Sequence, residues 1–199
     1  MDNNVYLLTC KATGQQVLID AADDLAAIQN LLNLAKQDGP NARLTTIITS
    51  HCHLDHLRAL ADLAKTSAAR LYAGREDIPA IENATGLGGI EPIDHGDCLQ
   101  VGQLNLMIIG LRGHTPGGIG VAYSEPGSPT FVFSGDSLFP GGVGATDRDP
   151  QRFDLLLSDV ANRLFAAFPD DTVVLPGHGR STTISAEQPQ LEVWAARGW

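Results

Sequence analysis

The chain has 199 residues, 43% of them hydrophobic and 18% charged, which suits a single domain over 1–199 with a sizeable core. A formal net charge of −10 and a pI near 4.8 repel phosphate backbones and argue against general nucleic-acid binding. No basic run suits an anionic membrane surface, and no apolar stretch approaches the roughly 18 residues that a bilayer span needs. The polar start Met1-Asp2-Asn3-Asn4 does not read as a signal peptide. Cys10, Cys52 and Cys98 are too few for a disulfide framework, so a reducing cytoplasm is the expected location. Oligomeric state is left open.

Val5–Cys10 and Gln16–Asp20 are apolar runs around Ala12-Thr13-Gly14 and predict a hairpin. Asp23 and Asp24 open a helix with Leu25, Ile28, Leu31, Leu32 and Ala35 on one face, ended by Gly39-Pro40. Leu44–Thr49 reads as a buried strand that stops at Ser50-His51. A helix is expected from about His56 to Ser67, with Leu57, Leu60, Ala61 and Ala64 inward, then a strand over Ala69–Ala73. Cys98–Leu111 alternates around Gly102-Gln103 as a second hairpin, and Ile119–Ser124 and Thr130–Ser134 read as strands. Phe153–Phe168 carries helical spacing, Pro169 ends it, and Thr172–Leu175 is a final strand. Hairpins precede helices twice, which favours two packed sheets with helices outside over a doubly wound parallel sheet.

The chemistry gathers in Ser50-His51-Cys52-His53-Leu54-Asp55-His56, where three of six histidines and one carboxylate fall just after a strand. Alternation points His51 and His53 to one side and turns Cys52 away, as a small buried side chain. Neutral imidazole and carboxylate suit zinc and similar divalent ions. Three later apolar runs each end in a potential ligand beside glycine: His114 in Gly113-His114-Thr115-Pro116-Gly117, Asp136 in Ser134-Gly135-Asp136-Ser137, and His178 in Pro176-Gly177-His178-Gly179. Taken singly, each is an ordinary turn. Together they lie at strand exits along one rim.

This order of motifs, running from Asp2-Asn3-Asn4-Val5-Tyr6 almost to the C-terminus, resembles the glyoxalase II-like branch of the metallo-β-lactamase superfamily. The resemblance implies an αββα sandwich with the site at one edge between the sheets. It implies His51, His53 and His114 on a first metal, Asp55, His56 and His178 on a second, and Asp136 bridging them. The implied cofactors are two divalent ions, zinc above all, with iron or manganese acceptable. The implied reaction is hydrolysis of a small-acyl thioester (hydroxyacyl-thiol type) by a metal-bridging hydroxide, with Asp55 and Asp136 as catalytic groups on a small-molecule substrate.

Glyoxalase II enzymes that act on glutathione thioesters carry an added C-terminal helical region. This chain ends about twenty residues after His178, which counts against glutathione as the carrier and leaves the thiol open. Relatives usually have an edge strand before the Asp-Asn-Asn stretch, where this chain begins; either that strand is lacking or the true start lies upstream. Alternatives share the fold. A mononuclear-iron persulfide dioxygenase carries Gly-Arg-Thr-Asp-Phe where this chain has Gly144-Ala145-Thr146-Asp147-Arg148. A β-lactamase places Cys or Ser where Asp136 stands. Flavo-diiron proteins differ at His53, RNA-processing members need an inserted domain, and a lactone or ester substrate stays open. A non-catalytic metal-stabilised scaffold is opposed by the complete set of seven ligands. Thr115 and Asp147 are expected to orient ligands, His95 to sit in a surface turn, and Trp194 and Trp199 to pack the tail.

Overall fold

The structure, a computed structural model, describes residues 3–198. Met1, Asp2 and the tail position of Trp199 lie outside them. The chain runs β1 (Tyr6–Thr9), β2 (Gln15–Ile19), α1 (Leu25–Leu34), β3 (Arg43–Thr49), α2 (Leu60–Thr66), β4 (Arg70–Gly74), α3 (Ile78–Thr85) and β5 (Glu91–Ile93). Then come β6 (Cys98–Val101), β7 (Leu104–Gly110), β8 (Ile119–Tyr123), β9 (Phe131–Gly135), β10 (Leu138–Phe139) and β11 (Gly142–Val143). The chain closes with α4 (Pro150–Val160), β12 (Val173–Pro176), β13 (Thr182–Thr183), α5 (Ile184–Glu187) and α6 (Leu191–Arg197).

Strand alternation sorts the apolar side chains into three layers. Leu18 and Ile47 face outward to Ile28 of α1, Leu60 and Leu63 of α2, and Ile81 of α3. Their neighbours Val17, Ile19 and Ile48 face inward and meet Leu106, Ile108, Val121 and Phe133 of the other sheet. Beyond that sheet, Ile109, Leu111 and Val132 pack on Phe153, Leu156 and Val160 of α4 and on Trp194 of α6. The result is the αββα sandwich: one sheet in the order β1-β2-β3-β4-β5, the other in the order β13-β12-β9-β8-β7-β6, with helices on both outer faces. Among the described residues no helix is long and apolar enough to cross a membrane.

Both hairpins form where alternation places them. The helix expected from His56 starts only at Leu60. Residues 54–56 make a 3-10 turn, and the Arg58 and Ala59 amides donate to the carbonyls of Ala22 and Ala21 at 2.9 and 3.1 Å. Those bonds pin the segment to the loop after β2, and the inward face shifts to Leu60 and Leu63 while Ala61 is half-buried. Helix α4 starts three residues earlier than expected, on Pro150 with Asp149 as cap, and passes into a π-helical turn over Ala161–Phe165. The segment between Gly74 and Cys98 holds α3 and β5, for which no expectation was made; at eight and three residues they are too short to stand out as periodic runs.

β7, β9 and β12 run in one direction, since β8 is antiparallel to both β7 and β9 and β12 is parallel to β9. Their C-terminal ends therefore share one edge, which the exit of β3 joins. An Asn3–His178 bridge ties the start of the first sheet to the exit of β12 across that edge. Leu106 is fully buried between the sheets. Leu106→Ala should lower unfolding stability by about 2–5 kcal/mol, read as a shifted denaturant midpoint with unchanged slope. A change below about 1 kcal/mol would mean that the two sheets do not share a packed interior there.

Candidate metal centre

All seven side chains singled out by sequence come to this edge. The segment right after β3 delivers His51 and His53, and the 3-10 turn that follows delivers Asp55 and His56; the loop after β7 delivers His114, the end of β9 delivers Asp136 and the end of β12 delivers His178. His51 and His56 are buried, His53 is exposed, and Asp55, Asp136 and His178 are partly buried. The ring centroids of His51, His53 and His114 lie 4.5–4.9 Å apart. His178 Nε2 sits 3.1 Å from both His56 Nε2 and Asp55 Oδ2. Asp136 lies between these groups, with Oδ1 at 3.4 Å from His56 Nε2 and Oδ2 at 3.7 Å from His114 Nε2. Ligand atoms fall within 4.8 Å of one another in three sets: His51, His53 and His114; His51, His56 and Asp136; and Asp55, His56 and His178.

The backbone must turn sharply to bring them so close. Gly177 allows one such approach: a Cβ there would stand 2.3 Å from Asp136 Oδ1 and 2.5 Å from the His56 ring. Gly135, with φ of 50°, turns β9 into Asp136 in a conformation that L side chains rarely adopt.

The outer ring nitrogens fix the direction of the inner ones. Asp20 accepts hydrogen bonds from Ser50 N at 2.7 Å, Ser50 Oγ at 2.7 Å and His56 Nδ1 at 2.9 Å. Because the Ser50 hydroxyl proton goes to Asp20, its oxygen is left to accept from His51 Nδ1 at 2.9 Å. His114 Nδ1 donates to the Ala145 carbonyl at 2.7 Å. In each of these rings Nδ1 carries a proton; Nε2 of His51 and His114 therefore turns a lone pair toward the centre, and Nε2 of His56 does so once its second proton is lost.

Several of the inner atoms make no hydrogen bond within the protein. His51 Nε2, His114 Nε2 and Asp136 Oδ1 are buried and accept no hydrogen bond. Each such orphan costs about 1–3 kcal/mol, and three in one hollow fit a cation better than they fit an ordinary interior. Burial and the neighbouring imidazoles push His51 well below the usual histidine range, so it stays neutral. Burial also lowers His114. His56 goes the other way. Burial would lower it, but Asp136 and Asp20 drive it up to about 10, so a proton there takes the place of a cation's charge. Burial works against ionisation of Asp55, yet the Asn3 amide and the two adjacent imidazoles hold its carboxyl below the usual range.

The orienting groups differ from those expected. Thr115 Oγ1 is buried without a partner and orients no ligand. Asp147 is exposed and reaches the site only through Arg152, 2.5 Å away, whose guanidinium also binds the carbonyls of Gly113 and His114. The direct work falls to Asp20, Ser50, the Ala145 carbonyl and Asn3, with Asp77 fastening the ligand loops to each other. Asp77 is buried and accepts from Cys52 N at 2.9 Å and Gly117 N at 2.7 Å, which staples the His51–His56 segment to the His114 loop. Asp20 had one sequence signal, an acid ending an apolar run; Asp77 had none. Cys52 is half-buried against the outer apolar layer. His95 sits exposed in a turn, and Trp194 is buried against Phe165.

The profile of the Metallo-beta-lactamase superfamily matches residues 1–178. A hydroxyacylglutathione hydrolase of Haemophilus influenzae, GloC, is 30% identical over 159 residues, covering 73% of each chain. A hydroxyacylglutathione hydrolase of Fuscovulum blasticum is 32% identical over 182 residues, covering 89% of this chain and 62% of that protein's length. Among solved structures, TTHA1623 in a di-iron-bound form superposes with a TM-score of 0.70 at 31% identity, over 94% of this chain and 92% of that one. A donor cluster of this composition on an αββα sandwich, with these relatives, places the chain in the metallo-β-lactamase superfamily, in its glyoxalase II-like branch.

Proposed function

We propose that the chain is a binuclear metallohydrolase that cleaves thioesters of small acyl groups. His51, His53 and His114 would hold one divalent cation, and Asp55, His56 and His178 the other, with Asp136 between them; zinc is the ion proposed. The observation that carries this reading is the set of buried, unpartnered donors aimed at one centre: His51 Nε2, His114 Nε2 and Asp136 Oδ1. The relatives named hydroxyacylglutathione hydrolase and the di-iron form of TTHA1623 support it.

The cations, when bound, supply Lewis acidity toward a carbonyl oxygen and a water acidic enough to attack at neutral pH. The protein's own groups do the rest. Asp20 and the Ala145 carbonyl hold the imidazoles of His56 and His114 by Nδ1, so the donor lone pairs need no reorganisation. Asp55 and Asp136 would present carboxylate oxygens that orient the attacking water, and Asn3 Nδ2, 3.1 Å from Asp55 Oδ2, keeps that carboxylate oriented. A thiol of pKa near 8–9 departs as thiolate with little protonation, whereas an amine would need a proton first. That difference favours a thioester over an amide. The substrate proposed is a small molecule, acted on by one domain in a reducing compartment; Cys10, Cys52 and Cys98 are all free.

Metal analysis together with a substrate panel tests the reading. Zinc-loaded protein should hold two ions per chain and hydrolyse small-acyl thioesters, with kcat/KM reduced at least about a hundredfold in Asp55→Ala. Fully loaded protein that leaves every thioester untouched, or that consumes oxygen with a persulfide, would sink it. Chelation should abolish turnover, and added zinc should restore it. Asp20→Asn should weaken metal affinity by about 10–100-fold, measured by competition with a chromophoric chelator; wild-type affinity in that variant would show that the Asp20–His56 bond does not position the donor.

A further inference from the structure

Beside the donor cluster lies a cavity of about 290 Å³ whose walls include Asn3, Val5, Ala22, Ala27, Ile28 and Leu31. Asn3 is the wall common to both. Its Nδ2 lies 3.1 Å from Asp55 Oδ2 and 3.4 Å from both His56 Nε2 and His178 Nε2, while the same side chain lines the cavity. A carbonyl carbon seated at the Asp55, His56 and His178 donors is therefore one side chain's width from an apolar hollow. The volume is at the lower end of ligand sites, which suits an acyl chain and not the whole carrier thiol.

Two carboxylates share the lining, Asp23 and Asp24. Both are held in place: Asp23 pairs with Arg58 at 2.9 Å, and Asp24 caps α1 by accepting from Ala27 N at 3.0 Å. The Asp23 charge is offset by Arg58; among the described residues the Asp24 carboxylate has no such partner, and no cationic side chain lines the cavity. Beneath them Ala22 and Ile28 are buried, and Val5 and Leu31 are half-buried. The hollow is shaped for an uncharged alkyl chain and set against a carboxylated one.

We infer that this cavity is the acyl subsite of the enzyme and that it selects thioesters of short, uncharged, apolar acyl chains over acetyl and over acyl groups bearing a carboxylate. The inference rests on the thioester reading above. One methylene in an apolar pocket is worth roughly tenfold or more in discrimination, so occupancy of the cavity is readable in kinetics.

The test compares acetyl, propanoyl, butanoyl and succinyl thioesters of one thiol, N-acetylcysteamine, on zinc-loaded full-length protein and on Ala27→Phe. Ala27 is exposed on the first turn of α1 and touches none of the donors, so the added ring fills the cavity without entering the core. In the wild type kcat/KM should climb about tenfold per methylene from acetyl to butanoyl, with succinyl no better than acetyl. In Ala27→Phe the climb should flatten, the butanoyl-to-acetyl ratio of kcat/KM falling toward one. An unchanged climb in the variant, or succinyl surpassing butanoyl in the wild type, would overturn the assignment. Should no thioester be turned over at all, the thioester reading fails by itself and binding decides the cavity. Isobutyramide, a neutral acyl mimic, should then give saturable methyl shifts at Val5, Ile28 and Leu31 in the wild type that vanish in Ala27→Phe. Their absence in the wild type would refute the subsite.

Discussion

The carboxylate of Asp20 is the constraint on which the site depends. It is buried at the end of β2 in a left-handed backbone conformation, with φ of 60°. It takes both polar hydrogens of Ser50 and the Nδ1 proton of His56. Through the first pair it also decides which way the Ser50 hydroxyl points, and so which nitrogen of His51 carries a proton. One buried acid thus sets two imidazole tautomers. Without that setting, His51 and His56 could turn N–H groups inward, and the centre would repel a cation.

The same economy recurs at the second buried acid. Asp77 bonds two backbone amides from segments far apart in the chain, Cys52 and Gly117. Neither bond involves a ligand side chain, yet each loop carries one or more of them. Arg152 does comparable work from α4, holding the carbonyls of Gly113 and His114. The donors are therefore supported by both sheets and by an outer helix. Such support is what keeps unpaired lone pairs converging when their mutual repulsion would spread them.

The layers follow from alternation because a strand in this fold is covered on both sides. Val17, Leu18 and Ile19 are all buried, but successive residues enter different apolar layers. That makes the strands legible as apolar runs while hiding which face is which. The helix after the His51–His56 segment was misplaced for a related reason. Its apolar spacing extends back to Leu57, but the amides of Arg58 and Ala59 are taken by the loop after β2, a bond no local pattern reveals. α3 and β5 went unread between β4 and β6 because they are short, eight and three residues.

The donors themselves were written in the chain. Histidine is scarce, and His51, His53 and His56 cluster after a strand while His114, Asp136 and His178 each follow a strand beside glycine; residue type and strand exits are local properties. What the sequence could not determine was which groups hold those donors, because Asp20, Asp77, the Ala145 carbonyl and Asn3 act across separations that only tertiary packing closes. Thr115 and Asp147, neighbours in sequence of a ligand or its loop, were the expected choice, yet Thr115 orients no ligand and Asp147 acts only through Arg152. Orientation of a side chain depends on what lies a hydrogen bond away in space, and adjacency along the polypeptide does not supply that distance.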